Sequence, residues 1–365
     1  MNILIVGPYP PLKGGISDFN FKLFDHLKKY QSTFFIRFDR NYPFFIRSKK
    51  KQVLDVYNEK LNILKINPYN PFSYLKIIKF IKNKNIDKII STYWTPIIGL
   101  PYLLINSVVS KKITKIGLFH NIFPHENYFL SKQILKLYIK TLNKAITLSE
   151  HTSKQLLEVS NLVSNSLFIP VDNLEKTSKT ISLNKLDLNK NYKYILFMGM
   201  IRKYKGLELL LNAFKKVIEI EKNVKLIIAG EFIKNKKEYL SLINELSLTK
   251  NIVLNDNFIE PHNIKYYLNV SEIIVQPYIK ATQSGITALA ISYNKIIVTT
   301  GVGGIKEIIN KDNGYICSKD PISISKNIIS ALKSNNEKKI EELILLKKKL
   351  SWNNFCSLLM KNILR

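Results

Sequence analysis

The chain has 365 residues, of which 46% are hydrophobic and 23% charged, and its formal net charge is +29. This length is enough for two globular domains, and the composition excludes an intrinsically disordered chain. The only two cysteines, Cys317 and Cys356, are too few for a disulfide framework and favour a reducing compartment. The longest apolar run, residues 95–109, contains two prolines and is shorter than the roughly 20 residues that span a bilayer. Because the N-terminal residues show no signal-peptide pattern, we expect a cytoplasmic protein.

The high positive charge raises the question of an anionic macromolecular partner. The lysines are spread along the whole chain without an arginine-rich or aromatic-interleaved recognition motif, so we expect no nucleic-acid partner. The same charge attracts anionic lipid. Residues 34–52 mix aromatic side chains with the cations Arg37, Arg40, Arg47, Lys49, Lys50 and Lys51. This stretch predicts contact with an anionic membrane surface, the alternative being a core strand followed by a solvated loop.

The N-terminal half alternates short apolar runs with amphipathic stretches. Strands are predicted at residues 3–6, 33–38, 88–91, 115–119, 145–148 and 166–169. Helices are predicted at residues 16–29, 71–82 and 131–142. This alternation is typical of a parallel, doubly wound α/β sheet. Residues 172–191 are polar and lack helical or strand periodicity, which predicts a linker.

The alternation then restarts and predicts a second α/β domain. Its strands are predicted at residues 194–198, 224–229, 252–254, 273–276, 296–299 and 314–317, and its helices at 207–220, 236–246, 264–270, 285–293 and 323–333. The last segment, 341–365, is predicted to be helical, with Trp352 as a packing anchor. The predicted organisation is therefore a domain at 1–171, a linker at 172–191, a domain at 192–340 and the terminal helical segment. Two such domains favour a ligand site in the cleft between them.

Two turns after predicted strands carry features of an anion site. Gly14 and Gly15 follow the first strand and open a helix, which leaves backbone N–H groups accessible. Arg202 and Lys205 lie between a strand and a helix that starts at about Gly206. A helix N-terminus already carries partial positive charge, so two cations beside it favour an anion such as a diphosphate. The alternatives are an ordinary glycine turn and solvated surface cations.

Two later turns after predicted strands also contain small residues that leave backbone N–H groups accessible. Ser284 and Gly285 start a predicted helix, and Gly303 and Gly304 follow a predicted strand. Each pair taken alone is equally compatible with a plain turn. Their order along the second domain is more informative, because small-residue turns follow successive strands of one parallel sheet.

These residues together resemble the family 4 glycosyltransferases of the GT-B fold, the "glycosyl transferases group 1" superfamily. The resemblance covers nearly the whole chain. The family's strand, glycine, arginine and Lys-Gly pattern corresponds to Gly199, Arg202, Lys205 and Gly206. Its N-terminal Gly-Gly loop and its late Gly-Gly turn followed by glutamate correspond to Gly14, Gly15, Gly303, Gly304 and Glu307.

The resemblance implies two Rossmann-like domains facing a central cleft, with a C-terminal helix that crosses back to the first domain. It implies a retaining, metal-independent transfer of sugar from a nucleotide-diphosphate sugar to a saccharide hydroxyl. Arg202 and Lys205 would stabilise the departing diphosphate, and no cofactor or metal is expected. We expect a lipid-linked acceptor, a role in surface polysaccharide synthesis, and a peripheral location on the inner face of the cytoplasmic membrane.

Residues 93–101 and 119–128 resemble one subgroup of this family. By this resemblance His120 is a candidate catalytic residue that hydrogen-bonds the transferred sugar, with capping or loop packing as the alternative. The candidate acceptor-side residues are Trp94, Asn121, His125 and Glu126.

The sequence departs from the family at one important place. Many members carry two glutamates, the second of which binds the ribose, and this chain has Ala281 and Leu289 there. Donor binding is therefore expected to depend more on backbone donors, such as those near Ser284, and on Glu307 or Gln283. A degenerate, non-catalytic GT-B subunit that partners another transferase remains an alternative. A nucleotide-sugar 2-epimerase is a weaker one, because it would need carboxylates in the cleft. The donor base and sugar remain open.

Overall fold

The computed structural model describes residues 1–40, 63–123, 131–174 and 177–364. Contacts divide the chain into two compact units, the first formed by Met1–Phe168 with Trp352–Arg365 and the second by Ile169–Ser351. Each unit is built on its own parallel sheet with helices, which confirms the predicted α/β class. Among the described helices, none combines the length and the apolar character needed to cross a membrane.

The first unit contains a seven-stranded parallel sheet in the order β3-β2-β1-β4-β5-β6-β7. Its strands are β1 (Asn2–Gly7), β2 (Ser32–Phe38), β3 (Leu64–Ile66), β4 (Lys88–Tyr93), β5 (Thr114–Phe119), β6 (Lys144–Thr147) and β7 (Ser164–Ser166). Its first five helices are α1 (Gly15–Leu27), α2 (Ser73–Asn83), α3 (Pro96–Val108), α4 (Ser131–Lys140) and α5 (Glu150–Leu157). The central strands are short apolar runs buried on both faces, as parallel sheets require.

The second unit contains a six-stranded parallel sheet in the order β10-β9-β8-β11-β12-β13. Its helices are α6 (Lys179–Lys185), α7 (Leu207–Ile220), α8 (Lys236–Glu245), α9 (Ile264–Val270), α10 (Gly285–Ser292), α11 (Pro321–Lys333) and α12 (Glu337–Lys349). Its strands are β8 (Lys193–Met198), β9 (Val224–Ala229), β10 (Ile252–Asn255), β11 (Ser271–Gln276), β12 (Ile296–Thr299) and β13 (Tyr315–Ile316).

The last helix, α13 (Trp352–Leu364), packs in the first unit. The ring of Trp352 lies 5.3 Å from that of Phe19 and 5.2 Å from that of His26, both on α1. The Nζ atoms of Lys88 and Lys144 donate to backbone carbonyls at the end of α13. The terminal segment at 341–365, predicted to be helical, is divided between two helices, α12 in the second unit and α13 in the first.

Some local predictions were wrong. Residues 172–191 were expected to lack regular structure, yet they contain α6, whose N-terminus is capped by Ser178. Strand β7 precedes its predicted position at 166–169, and β3, α3 and α5 were not predicted. Helix α3 begins at Pro96 and includes Pro101, and two prolines in an apolar run obscure a helical pattern. Of the basic stretch 34–52, residues 41–52 lie outside the described residues.

Candidate functional site

The turn after β8 buries a lysine. The chain leaves the strand through Gly199, passes Arg202, forms a 3-10 turn at Lys203–Lys205 and enters α7 through Gly206. Gly206 has φ 70°, and a Cβ there would lie 1.9 Å from the carbonyl oxygen of Pro277. Glycine is therefore required for this close approach. Lys205, which directly precedes Gly206, is only 8% exposed, and its Nζ lies 2.8 Å from the position that a Cβ on Gly199 would occupy.

The surroundings of Lys205 favour an added anion. Among the residues that the structure describes, no carboxylate pairs with its Nζ, which lies over the Tyr278 ring at 5.6 Å from the ring centroid, a cation–π distance. Burial lowers the pKa of Lys205, with Tyr204 raising it and the positive charge of the nearby, half-buried Arg202 lowering it further. A buried cation costs free energy unless an opposite charge compensates it.

The N-terminus of α10 reaches the same place. Strands β8 and β11 pair in parallel, so both end at the same edge of the sheet. Ser284 precedes α10 without capping it, and a Cβ on Gly285 would meet no atom within 4 Å. The Ile286 side chain in the first turn lies 3.4 Å from the Cβ position of Gly199, next to which Lys205 ends. A lysine and an uncapped helix N-terminus therefore converge on Gly199, and both favour an anion.

Two residues of this site were missed by the sequence analysis. Gln276 at the end of β11 is 1% exposed, and its amide donates to Ser284 Oγ at 3.1 Å and accepts from Thr287 Oγ1 at 2.9 Å. The hydroxyl oxygen of Tyr278 lies 3.3 Å from Ser284 Oγ, and the Tyr278 ring lies under Lys205 Nζ. Gln276 therefore fixes the first turn of α10. Polar residues directly after an apolar strand are the signal that could have indicated them.

The other predicted residues of the second unit have different surroundings. A Cβ on Gly303 would lie 1.7 Å from the carbonyl oxygen of Ala281, and Gly304 donates its N–H to Thr282 at 2.8 Å. The Gly-Gly turn thus approaches the chain's own backbone just before α10. Glu307 is exposed at the end of that turn. Both amide atoms of Gln283 are buried without a hydrogen-bond partner in the described chain, beside a small, largely apolar cavity.

In the first unit, the glycine loop and His120 meet through one phenylalanine. Gly14 has φ 126°, α1 has no side-chain cap, and a Cβ on Gly14 or Gly15 would contact nothing within 4 Å. Phe19 in the following turn packs edge-on against the His120 ring at 4.6 Å. The loop and the imidazole therefore lie near each other at the carboxyl edge of this sheet.

His120 is a buried, neutral imidazole. Its backbone N–H donates to Tyr93 at 2.8 Å, and its side chain is 9% exposed. Its Nε2 is buried and has no hydrogen-bond partner among the described residues. Burial lowers the pKa of His120 to about 3. At neutral pH this ring can exchange hydrogen bonds with a ligand, but it does not carry an acidic proton of an imidazolium.

The acceptor-side candidates are only partly described. Trp94 directly follows β4, is half-buried and packs against the apolar core of the first unit. Asn121 is half-buried next to His120. His125 and Glu126 lie outside the described residues. No group of three or more His, Cys, Asp or Glu side chains in the described ranges could hold a metal ion.

Comparison with known sequences finds a family match within the second unit. Residues 178–344 match the family model "Glycosyl transferases group 1". Two uncharacterized glycosyltransferases of Methanocaldococcus jannaschii are 26% identical over 195 residues and 28% identical over 255 residues. These matches cover 50% and 64% of this chain but only 49% and 60% of the two relatives.

Comparison with solved structures extends the likeness to both units. Sucrose-phosphate synthase from Thermosynechococcus elongatus superposes with a TM-score of 0.74 at 13% identity, covering 100% of this chain and 98% of that one. A glycosyltransferase from Rickettsia africae superposes with a TM-score of 0.75 at 18% identity, covering 99% of this chain and 97% of that one. Anabaena HepE in complex with UDP and glucose superposes with a TM-score of 0.76 at 13% identity, covering 100% of this chain and 99% of that one. The chain thus has the GT-B fold of these proteins, and its residues 178–344 match the family model of the glycosyl transferases group 1.

Proposed function

We propose that this protein transfers a sugar, with retention and without a metal, from a nucleotide-diphosphate sugar to a hydroxyl of a lipid-linked saccharide. The observation that carries this proposal is the buried Lys205, which has no carboxylate partner among the described residues and meets the α10 N-terminus at Gly199. A diphosphate supplies the charge that this arrangement lacks. That HepE was solved with UDP and glucose supports a nucleotide-sugar donor.

The chemistry requires stabilisation of a leaving diphosphate. The bond between the anomeric carbon and the diphosphate oxygen breaks, and a bond to the acceptor oxygen forms on the same face of the sugar. The acceptor proton goes to an oxygen of the departing phosphate. Lys205, Arg202 and the N–H groups of the first α10 turn are held in place before the reaction, so they stabilise the growing negative charge without reorganisation.

The role in surface polysaccharide synthesis rests on the resemblance and on the charge of the molecule. A net charge of +29 favours an acceptor presented at an anionic membrane. The predicted contacts of His120 with the sugar, and of Trp94 and Asn121 with the acceptor, stay predictions.

A thermal-shift screen with UDP-, GDP- and ADP-sugars tests the donor site. A ligand at 100 times its dissociation constant stabilises the folded protein by about 2.7 kcal/mol. Nucleotide release is then measured with EDTA present, and the anomeric configuration of the product is read by NMR. No stabilisation by any of the three donors would contradict the proposal.

Arg202→Ala tests the phosphate assignment within this site. Removing one preorganised donor from a transition state costs of order 10²-fold in turnover, and we expect that loss here. Lys203→Ala is the matched control, because Lys203 is an exposed cation of the same turn. Equal rates for the two variants would contradict the role of Arg202.

Ala281 and Leu289 favour a second candidate, a subunit that binds the donor without turnover. Neither side chain offers the carboxylate that many relatives of this family use for the ribose. Donor-induced stabilisation without nucleotide release or transfer, over several acceptors, would support this candidate over the first.

A further inference from the structure

Helix α3 has an unusual exposed surface. Its thirteen residues, Pro96–Val108, include no charged side chain. Leu100, Leu104 and Val108 are 42%, 39% and 45% exposed and follow one another at intervals of four, so they form one ridge along the helix. A helix at the surface of a soluble domain ordinarily places polar or charged residues there.

Two lysine-bearing helices border this ridge. Helix α3 contacts both α2 and α4. The exposed lysines are Lys76, Lys79 and Lys82 on α2, and Lys132, Lys136 and Lys140 on α4. Neither helix contains an aspartate or glutamate. Phe72 and Leu75 at the start of α2 are 78% and 66% exposed, and Leu137 on α4 is 50% exposed. We call these three helices the α2–α4 face.

We propose that the α2–α4 face docks the protein on an anionic lipid bilayer. The apolar ridge of α3 enters the boundary between headgroups and acyl chains, while the lysines on either side reach the lipid phosphates. Long lysine side chains suit this arrangement because their stems cover apolar surface and their ammonium groups extend to the anions. The proposal concerns binding alone, so it holds or fails independently of glycosyl transfer.

The composition of the face argues against other occupants. Protein–protein interfaces are enriched in arginine and depleted in lysine, whereas α2 and α4 carry six lysines and no arginine. A second copy of the chain would bring lysine rows of like charge together. Nucleic acid binds through its charged phosphates, and the uncharged ridge of α3 at the centre of the face offers them no cation.

Vesicle binding of the full chain tests the proposal. The probes are vesicles of phosphatidylcholine with and without phosphatidylglycerol, at low and high salt. The variants are Lys132→Gln/Lys136→Gln/Lys140→Gln and Leu100→Gln/Leu104→Gln. The matched control, Lys216→Gln/Lys222→Gln/Lys338→Gln, removes the same charge from exposed positions of the second unit.

We expect binding only to vesicles that contain the anionic lipid. Each lysine near the surface contributes about fivefold in affinity, so the α4 triple variant should bind about 100-fold more weakly at low salt. The control should lose about twofold, because it lowers the net charge and leaves the α2–α4 face unchanged. The leucine variant should lose at least about tenfold, and its loss should persist at high salt.

Three results would overturn the proposal. The first is no binding to anionic vesicles, and the second is an equal loss for the α4 and control variants. The third is a dimer of the free protein, seen by sedimentation, that Leu100→Gln/Leu104→Gln dissociates, since that assigns the face to a second copy. Thermal unfolding of each variant, measured in parallel, shows that the variants are folded, so a loss of vesicle binding reports failure of docking whether or not the protein transfers sugar.

Discussion

At the scale of single residues, Lys205 combines a cost in stability with a use in binding. Its ammonium is buried beside Arg202, and no carboxylate of the described chain pairs with it. We therefore expect Lys205→Met to raise the free energy of unfolding by about 1 kcal/mol without donor, because the buried charge is gone. The same variant should lose stabilisation by nucleotide-sugar and turnover of order 10²-fold. Urea unfolding with and without donor measures both, with exposed Lys203→Met as the control.

The Lys205 prediction has a clear contrary result. If Lys205→Met destabilises the free protein and leaves the donor-induced stabilisation intact, the lysine serves packing and not phosphate binding.

His120 gives a prediction for pH. Its folded-state pKa of about 3 lies below the ordinary value of 6.5, so between these pH values the unfolded chain binds more protons than the folded one. Stability from the neutral ring is present above pH 6.5 and falls as the pH drops, by about 1.4 kcal/mol per unit. Between pH 7.5 and pH 5 the wild type should lose about 2 kcal/mol more than His120→Gln. An equal loss in both proteins would contradict a buried, neutral His120.

At the scale of elements, the entry into α7 depends on one glycine. Gly206→Ala would place a Cβ against the Pro277 carbonyl in a left-handed conformation, so we expect a loss of about 3 kcal/mol in the free energy of unfolding. Gly285→Ala is the control, because a Cβ there meets open space at the start of α10. It should change stability by less than about 1 kcal/mol. Urea unfolding separates the two, and similar costs would contradict the backbone contact.

The bounds of the elements also show which helices and strands the hydrophobic periodicity of the sequence predicts. Strand β9, helix α7 and helix α9 have their predicted bounds, because each is a continuous apolar or amphipathic pattern with clear ends. Strand β3 has three residues, too few for a period to show. Helix α6 is polar in sequence, and its stability comes from packing against α9, which no local pattern reveals.

At the scale of the whole molecule, charge opposes compactness. The chain has 56 lysines and arginines against 27 aspartates and glutamates, and the self-repulsion of this excess positive charge destabilises the folded state. Moderate salt screens it, since the Debye length falls to about 10 Å at 0.1 M. We expect the melting temperature to rise by several degrees between about 20 and 200 mM NaCl. Differential scanning calorimetry checks this, and a fall in melting temperature would show that attractive ion pairs outweigh the repulsion.

The sequence by itself determined the α/β class, the restart of the strand–helix alternation, and the cations and glycines of the candidate site. These follow from local patterns, since hydrophobic period and turn residues are encoded within a few positions. Only the tertiary structure showed that Lys205 is buried, that Gln276 and Tyr278 fix its surroundings, and that Gly303 approaches Ala281. Only the packing of α3 between α2 and α4 set an uncharged ridge beside two rows of lysines. The burial of a side chain and the convergence of residues on one site depend on contacts between residues far apart in the chain. The hydrophobic periodicity of a local segment does not predict such contacts.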